Sequence, residues 1–253
     1  MSSRVHIITG AGSGIGRLTA QRALAAGEHV VALDLNAAGL DVLGDDPWLL
    51  KLTVDVTDSA AVDAAVAQAV AQFGPIDRVT NAAAIMPLGR LAEQPRELIH
   101  KIVAINFGGL VNVSKAALPA MLARRQGVFV SYASMAGHWP ILYMGAYDAS
   151  KAAVVSYFEV LYHENRDSGV QFVCVCPPPV ATPLLDQARA TIWPKTFDVL
   201  PPLTVERVVD DVDKAIAQRR FWVFPGPATA LAWRLRRWFP GLLWWRVHQM
   251  EGE

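Results

Sequence analysis

Short apolar segments rich in β-branched residues alternate along the chain with longer segments in which apolar residues recur every three or four positions. The short segments are 5–8, 29–33, 49–54, 76–80, 128–132, 170–176 and 221–224. Helical periodicity follows the first of them as far as residue 26 and is clear again over 58–73. This alternation is typical of strand–helix–strand units, which build a parallel sheet covered by helices on both faces. We therefore predict an α/β protein with a single doubly wound parallel sheet of about seven strands.

The domain organisation follows from the absence of a composition break, linker or internal repeat among the 253 residues. We expect one domain over residues 1–226, with a substrate loop at 184–203. Residues 227–253 form a C-terminal helical tail that either belongs to the same domain or contacts a membrane or another subunit.

Composition excludes two classes of protein. Hydrophobic residues make up 53% of the chain and charged residues 18%, which excludes disorder of the whole chain. The 23 Lys and Arg residues balance the 23 Asp and Glu residues, so a nucleic-acid partner bound through a general positive field is not expected.

Localisation and cysteine use indicate an intracellular protein. Cys174 and Cys176 lie two apart in an apolar segment, which favours buried strand thiols over a disulfide or a metal site. No signal peptide fits before the first strand, and no window offers ~18 consecutive apolar residues. We expect cytoplasmic residence, with a chain that begins at its mature N-terminus and has no spanning helix.

A glycine-rich turn, residues 9–16, lies between the first strand and the first helix. Its glycines allow backbone N–H groups to approach a pyrophosphate at the positive end of the helix dipole. Such a turn can also be a loop that only needs flexible residues, but its strand–turn–helix position favours a Rossmann fold that binds a dinucleotide. The predicted cofactor contacts in this turn are Gly10, Ser13, Gly14, Ile15 and Gly16.

Acidic residues at the ends of the next two strands bear on the choice of cofactor. Asp34 can accept hydrogen bonds from the adenosine ribose and would repel a 2′-phosphate. The alternative is that Asp34 is an acidic loop residue without a role in cofactor binding. The nearby cation, Arg17, is expected to point into the first helical turn. NAD is therefore predicted rather than NADP. Asp55, with its neighbour Val56, is predicted to contact adenine, and a cap of the following helix is an equal alternative for Asp55.

Tyr147 and Lys151 are spaced so that they share one face of a helix. A tyrosine has a pKa near ~10 and needs a neighbouring cation to act as a base at neutral pH. Lys151 can supply that charge, although a solvated Tyr and Lys pair is the alternative.

These motifs, in this order, resemble those of the short-chain dehydrogenase/reductase family, over residues 5–224. Asn106 matches the asparagine of a family helix, and Ser134 lies at the family's spacing before Tyr147. The resemblance implies that Tyr147 is the general acid/base and that Ser134 orients the substrate oxygen. It also implies that Lys151 binds the nicotinamide ribose and lowers the pKa of Tyr147. Asn106 would hold a water that connects Lys151 to solvent.

Two loops depart from the family pattern. Asn81 keeps its family position as a cofactor contact, but Ala84 stands where the family has glycine. Pro178 likewise replaces a glycine and stiffens its loop. Val180 and Thr182 survive at positions that resemble the family's contacts to the nicotinamide carboxamide.

The substrate pocket is expected in the segments after strands four, five and six. Its predicted residues are Met86, Met135, Trp139, Tyr143, Pro178 and Leu184. Their composition favours a lipophilic secondary alcohol or ketone, although the same side chains can pack a core or a subunit interface. The apolar lid predicted over the pocket includes Phe197 and Leu200.

The C-terminal tail is basic and aromatic. Residues 214–250 contain no acidic residue, and five of the eight tryptophans lie between positions 222 and 245. One side of the predicted tail helix carries an apolar stripe made of Leu231, Leu235, Trp238 and Leu242. The Pro-Gly pair at 240–241 should break this helix into two. Residues 228–248 are thus predicted either to contact an anionic membrane surface or to pack on the domain or a sister subunit.

The sequence therefore predicts an NAD-dependent alcohol dehydrogenase or ketone reductase without a metal, in which the family resemblance implies a homodimer or homotetramer. One alternative is a cofactor-binding regulatory or scaffold protein with impaired catalysis. Another is an enzyme of the same fold that epimerises or dehydrates nucleotide sugars, for which the chain leaves little room.

Overall fold

The seven predicted apolar segments form the strands of one parallel sheet. The computed structural model describes residues 3–199, 201–226 and 229–252. The strands are β1 Val5–Thr9, β2 His29–Asp34, β3 Leu49–Thr53, β4 Arg78–Asn81, β5 Gly127–Tyr132, β6 Val170–Val175 and β7 Trp222–Val223. Their order is β3-β2-β1-β4-β5-β6-β7, and every pairing is parallel. The prediction of a doubly wound sheet with about seven strands is confirmed.

Ten α-helices connect and extend the strands within the described residues. They are α1 Gly14–Ala25, α2 Ala37–Asp41, α3 Ser59–Phe73, α4 Arg96–Val103, α5 Gly109–Arg124, α6 Gly145–Glu164, α7 Pro183–Arg189, α8 Val205–Ala217, α9 Thr229–Trp238 and α10 Pro240–Glu251. Helices α3, α5 and α6 cover one face of the sheet, and α1, α2 and α8 cover the other. Neighbouring strand residues such as Ile7 and Ile8 therefore enter opposite cores.

The start of α3 corrects one prediction. Asp58 is the N-cap of this helix, and its side chain accepts a hydrogen bond from the Ala61 N–H group at 3.1 Å. Asp55 instead accepts hydrogen bonds from the N–H and hydroxyl groups of Thr57. The alternative that Asp55 caps the helix is wrong, because the chain makes one further turn before α3 begins.

The continuous helical run Arg96–Arg124 is long and apolar enough to cross a membrane by length and composition. In the structure, Leu110, Val113 and Met121 of this run are buried in the core beneath the sheet. Its apolar character is therefore accounted for by packing inside the domain.

Both cysteines lie on β6 or directly after it. Cys174 and Cys176 are buried free thiols, which confirms the prediction of strand cysteines.

The C-terminal tail forms two helices separated near Pro240, as predicted. The four predicted stripe residues, Leu231, Leu235, Trp238 and Leu242, are exposed. The alternative that this stripe packs on the chain's own domain is therefore wrong. Residues 227, 228 and 253 of the predicted tail and Leu200 of the predicted lid lie outside the described residues.

Candidate active site

The glycine turn brings the backbone of residues 10–16 to the carboxyl edge of β1. Gly10 has a φ of 69°, in the left-handed region, and a Cβ atom there would lie 2.9 Å from the Ala83 nitrogen. A Cβ atom on Gly16 would collide with the carbonyl oxygen of Gly10. Gly10 therefore allows the turn to approach the segment after β4, and Gly16 allows the first turn of α1 to approach Gly10.

The N-terminus of α1 has the features of an anion site. Ser13 is its N-cap residue, yet the Ser13 side chain makes no capping hydrogen bond, and the first turn contains no acidic residue. The first N–H groups of a helix have no partners within the helix, so they are suited to a phosphate. Ile15 lies in this first turn, and a Cβ atom on Gly14 would lie 3.1 Å from the Thr182 methyl group. The turn thus fits the pyrophosphate of a dinucleotide.

Asp34 lies beside this turn at the end of β2. One carboxylate oxygen accepts a hydrogen bond from the Gly12 N–H group at 2.8 Å, and the other accepts from the Asn36 N–H group at 2.9 Å. Each oxygen retains a lone pair for a ribose hydroxyl. Arg17 donates to the carbonyl oxygens of Gly12 and Gly39, so it points toward the glycine turn and α2 rather than into the first turn of α1 as predicted.

Asn81 joins the glycine turn to the end of β4. The Thr9 hydroxyl donates to the Asn81 side-chain oxygen at 3.1 Å and accepts from the Ala82 and Ala83 N–H groups. Asn81 is buried, so it holds the edges of β1 and β4 together. Asp55 and Val56 lie after β3, the former exposed and the latter buried. Their contact with adenine stays a prediction.

The two departures from the family pattern lie in loops on either side of this edge. Among the described residues other than glycine, positive φ angles occur at Arg125, Tyr143 and Arg219. Ala84 therefore needs no left-handed backbone, and only its methyl group distinguishes it from glycine. Pro178 is half-buried in the loop after β6.

That loop places Val180 and Thr182 against the glycine turn. The Thr182 hydroxyl donates to the Val180 carbonyl oxygen at 3.2 Å. Val180 also pairs with Leu203 in an isolated parallel bridge, which closes the segment between them into a loop. The structure therefore brings this loop next to the glycine turn, and the contact of Val180 and Thr182 with a nicotinamide stays a prediction.

Asn106 lies in a π-helical turn, Ala104–Gly108, between α4 and α5. Its side chain accepts a hydrogen bond from the Ile85 N–H group at 2.9 Å and donates to the Ile85 carbonyl oxygen at 3.0 Å. It also donates to the Ser150 hydroxyl at 3.0 Å. Asn106 thus fixes the loop after β4 to α6, one residue before Lys151.

Ser134, Tyr147 and Lys151 meet at the carboxyl edge of β5. The Ser134 hydroxyl accepts a hydrogen bond from the Ala136 N–H group at 3.1 Å and lies close enough to the Tyr147 phenol to lower its pKa. The Lys151 ammonium group donates to the Tyr132 carbonyl oxygen at 2.8 Å and lies 5.7 Å from the centroid of the Tyr147 ring. Three of the four predicted catalytic residues therefore lie together, and the fourth, Asn106, is hydrogen-bonded to Ser150 next to Lys151.

Electrostatics at these residues differs from the prediction. Burial raises the pKa of Tyr147 above its ordinary value, and the hydrogen bond with Ser134 opposes this increase. Burial also lowers the pKa of Lys151 to about 8. The expectation that Lys151 lowers the pKa of Tyr147 is not met in this arrangement, because burial outweighs the other contributions and the ammonium group binds a backbone carbonyl.

An apolar cluster surrounds Tyr147. Of the predicted pocket residues, Met86 is buried in this cluster and Leu184 packs against it. The cluster also contains Leu88, Ala136, Met144, Leu185, Ala188 and Phe197. Helix α7 is hydrogen-bonded over it, because Gln187 accepts from the Met86 N–H group at 3.0 Å. Residues 183–199, which we call the lid, therefore pack against Tyr147. They overlap the predicted substrate loop 184–203, whose role over a substrate pocket stays a prediction.

The other predicted pocket residues are spread more widely. Met135 and Trp139 follow Ser134 and are half-buried, and the Met135 N–H group donates to the Pro177 carbonyl oxygen at 3.0 Å. Tyr143 lines a separate cleft of about 730 Å³, together with Asp148 and Trp244. Within the described residues, the lining of this cleft includes none of the four predicted catalytic residues, Asn106, Ser134, Tyr147 and Lys151. The cleft lies along the neighbouring face of α6.

Asp148 is buried at the wall of this cleft. One of its oxygens accepts a hydrogen bond from the Ile141 N–H group at 3.0 Å, and the other has no hydrogen-bond partner among the described residues. Burial raises the pKa of Asp148 to about 8, and the hydrogen bond from Ile141 opposes this increase.

Glu251, at the end of α10, holds the lid and was missed by sequence reasoning. Its carboxylate accepts hydrogen bonds from the N–H groups of Lys195 and Thr196 at 3.1 and 2.8 Å. It also accepts from the Thr196 hydroxyl at 2.6 Å. No local sequence signal could have identified this contact, since Glu251 lies more than fifty positions along the chain from Lys195 and Thr196.

Comparisons with known proteins agree with this geometry. A family model described as short chain dehydrogenase matches residues 4–193. The 2-(R)-hydroxypropyl-CoM dehydrogenase of Xanthobacter autotrophicus is 37% identical over 191 residues, which cover 72% of this chain and 76% of that protein. The 17-beta-hydroxysteroid dehydrogenase 13 of Mus musculus is 34% identical over 216 residues, which cover 82% and 69% of the two chains. A solved short chain dehydrogenase/reductase from Burkholderia phymatum, in complex with NAD, has a TM-score of 0.84 at 29% identity and covers 96% of this chain and 95% of that chain.

Proposed function

This chain belongs to the short-chain dehydrogenase family, and from that premise we propose that it is an NAD-dependent oxidoreductase that interconverts a secondary alcohol and a ketone. The observation that carries the proposal is that half-buried Ser134 and the buried side chains of Tyr147 and Lys151 lie together at the edge of the sheet that also carries the glycine turn, which fits a dinucleotide. A bound nicotinamide supplies the hydride acceptor or donor. The residues of the chain position the substrate oxygen and move its proton.

Tyr147 is proposed as the general acid/base. Because burial raises its pKa, the neutral phenol is the stable form near neutral pH. A neutral phenol is suited to give a proton to a carbonyl oxygen, which favours ketone reduction. Ser134 donates to or accepts from the same oxygen and fixes its position between the two hydroxyl groups.

Lys151 and Asn106 are proposed to position the other groups. The Lys151 ammonium group has donors left after its bond to the Tyr132 carbonyl oxygen, and these can reach a ribose hydroxyl. Asn106 fixes Ser150, the neighbour of Lys151 on α6. Asp34 supports NAD over NADP, since its charge lies beside the turn that receives the adenosine half.

The substrate is proposed to be lipophilic. The cluster around Tyr147 is built of apolar side chains, including Met86, Leu185 and Phe197. These side chains favour a substrate whose carbon frame replaces water next to the reacting oxygen. The steroid dehydrogenase among the relatives agrees with this choice of class.

Assembly and residence are part of the same proposal. We propose a homodimer or homotetramer formed through the outer side of α6, where Ala149, Ala152 and Val160 are exposed. Light scattering coupled to size exclusion tests it, and a monomer at high concentration would contradict it. Cytoplasmic residence is supported by two free buried thiols, which a reducing compartment preserves.

The test is NADH absorbance with NAD or NADP and secondary alcohols of rising chain length, including steroids. Tyr147→Phe should lower turnover by about 10²- to 10⁴-fold, because it removes the proton donor. Tyr157→Phe is the matched control, since Tyr157 lies on the same helix and its hydroxyl bonds Ser114 at 2.9 Å. Equal turnover in the Tyr147→Phe variant and the wild type would contradict the proposal.

A cofactor-binding protein with impaired catalysis is the second candidate. The observation that favours it is the raised pKa of Tyr147, together with the bond of Lys151 to the Tyr132 carbonyl oxygen. Titration calorimetry with NAD distinguishes the two functions. Binding without turnover of any ketone or alcohol in the panel would favour this second function.

A further inference from the structure

The two C-terminal helices each present one side to the domain and another to solvent. Trp233 of α9 stacks on Phe224 with ring centroids 5.0 Å apart, and Val247 of α10 is fully buried. The side chains turned away from these contacts are large and apolar. They are Leu231, Leu235, Trp238, Phe239, Leu242 and Trp245, which we call the terminal face.

The terminal face leaves a large share of its apolar side chains exposed. Its exposure ranges from 42% at Leu235 to 76% at Trp238. Leu231, Leu235 and Trp238 follow one another at intervals of four and three residues, so they share one side of α9. Single exposed apolar residues are ordinary, but a contiguous set of this size marks an interaction surface.

The exposed charged side chains described on these two helices are of one sign. Arg234 and Arg246 are exposed on the same two helices, and within the described residues neither forms an ion pair with an acid. The sequence has no Asp or Glu between Asp213 and Glu251. Such a surface is complementary to an anionic partner.

The choice of partner follows from charge and side-chain type. A second copy docked through the same face would bring identical arginines together, because a two-fold interface uses one patch twice. Tryptophan and phenylalanine beside arginine are the side chains that the boundary of a bilayer favours. We propose that the terminal face docks on an anionic lipid bilayer.

This docking site lies next to the lid. Glu251 is on the inward side of α10 and is hydrogen-bonded to Thr196, whereas Leu242 and Trp245 are on the outward side. One helix therefore separates the docked surface from the segment that covers Tyr147.

Flotation of the full chain with lipid vesicles tests the proposal and requires no substrate, so it is independent of the enzymatic activity. Vesicles of phosphatidylcholine mixed with phosphatidylserine should bind the protein, and added salt should weaken binding. The double variant Trp238→Ser with Leu242→Ser should lower the bound fraction about tenfold or more. The matched control is Trp48→Ser with Val70→Ser, which removes exposed apolar side chains far from the tail. Circular dichroism and thermal melting verify that both double variants fold.

Three results would overturn the proposal. Equal binding of the terminal-face variant and the wild type would exclude this surface. Equal binding to vesicles of pure phosphatidylcholine would exclude an anionic partner. Absence of vesicle binding, with concentration-dependent self-association that the same double variant abolishes, would show that a second copy covers the face.

Discussion

Removal of the Glu251 carboxylate should release the lid from α10. The carboxylate accepts three hydrogen bonds, two from the Lys195 and Thr196 N–H groups and one from the Thr196 hydroxyl. A hydrogen bond to a charged group contributes about 1.5–3 kcal/mol, but water replaces part of this when the site opens. We take about 2 kcal/mol as the free energy that the closed lid loses when Glu251→Ala removes all three hydrogen bonds. This value corresponds to an opening equilibrium that is about 30-fold more favourable, since every 1.4 kcal/mol is about tenfold.

Hydrogen exchange at the Lys195 and Thr196 amides measures this equilibrium directly, because exchange proceeds through local opening. We expect about 30-fold faster exchange in Glu251→Ala and a smaller increase in Glu251→Gln, which keeps one oxygen acceptor. Glu164→Ala, at the exposed end of α6, is the control and should leave exchange unchanged.

A second measurement distinguishes lid opening from a general loss of stability. Phe197 belongs to the cluster around Tyr147, so an open lid admits water to the phenol. Because burial raises the pKa of Tyr147, we expect the pH profile of turnover in Glu251→Ala to shift to lower pH. Unchanged exchange at residues 195–196 in a folded Glu251→Ala variant would refute the reasoning.

Three further predictions concern the turn, the cofactor and a buried acid. Gly16→Ala should lower both the melting temperature and the affinity for NAD, because the new methyl group would collide with the Gly10 carbonyl oxygen. The control is Gly108→Ala, which should preserve both because a Cβ atom at that position meets nothing within 4 Å. Asp34→Asn should weaken NAD binding about tenfold in a fluorescence titration without weakening NADP binding, and unchanged NAD affinity would speak against its role at the ribose. Burial raises the pKa of Asp148 from 3.8 to about 8, so the native state binds this proton more tightly than the unfolded chain and stability is lost as pH rises between these values. Asp148→Asn should therefore flatten the melting temperature over this range, and parallel curves for variant and wild type would contradict the assignment.

Local patterns accounted for the elements of the fold. The alternation of apolar segments identified seven strands, and the observed β1 and β2 extend only one residue beyond the predicted 5–8 and 29–33. Helical spacing likewise put Tyr147 and Lys151 on one side of α6. These features depend on residues within a few positions of one another, which is why the sequence reveals them.

The cap of α3 and the outcome of the tail needed the structure. Asp55 and Asp58 both stand before the helix and both have carboxylates, so composition could not choose between them. The stripe on α9 and α10 was visible in the sequence, but which side of each helix meets the domain depends on Trp233 and Val247 finding partners elsewhere in the chain.

By itself the sequence determined the sheet, the glycine turn and the shared helix face of Tyr147 and Lys151, because periodicity and short spacings are properties of neighbouring residues. The choice of Ser134 came from the family resemblance, and the catalytic roles of all three residues stay predictions. The tertiary structure alone decided the direction of the pKa shift of Tyr147 and the attachment of the lid to Glu251. Both depend on how much water the packed elements exclude and on which distant segments meet, and neither quantity is encoded in local spacing.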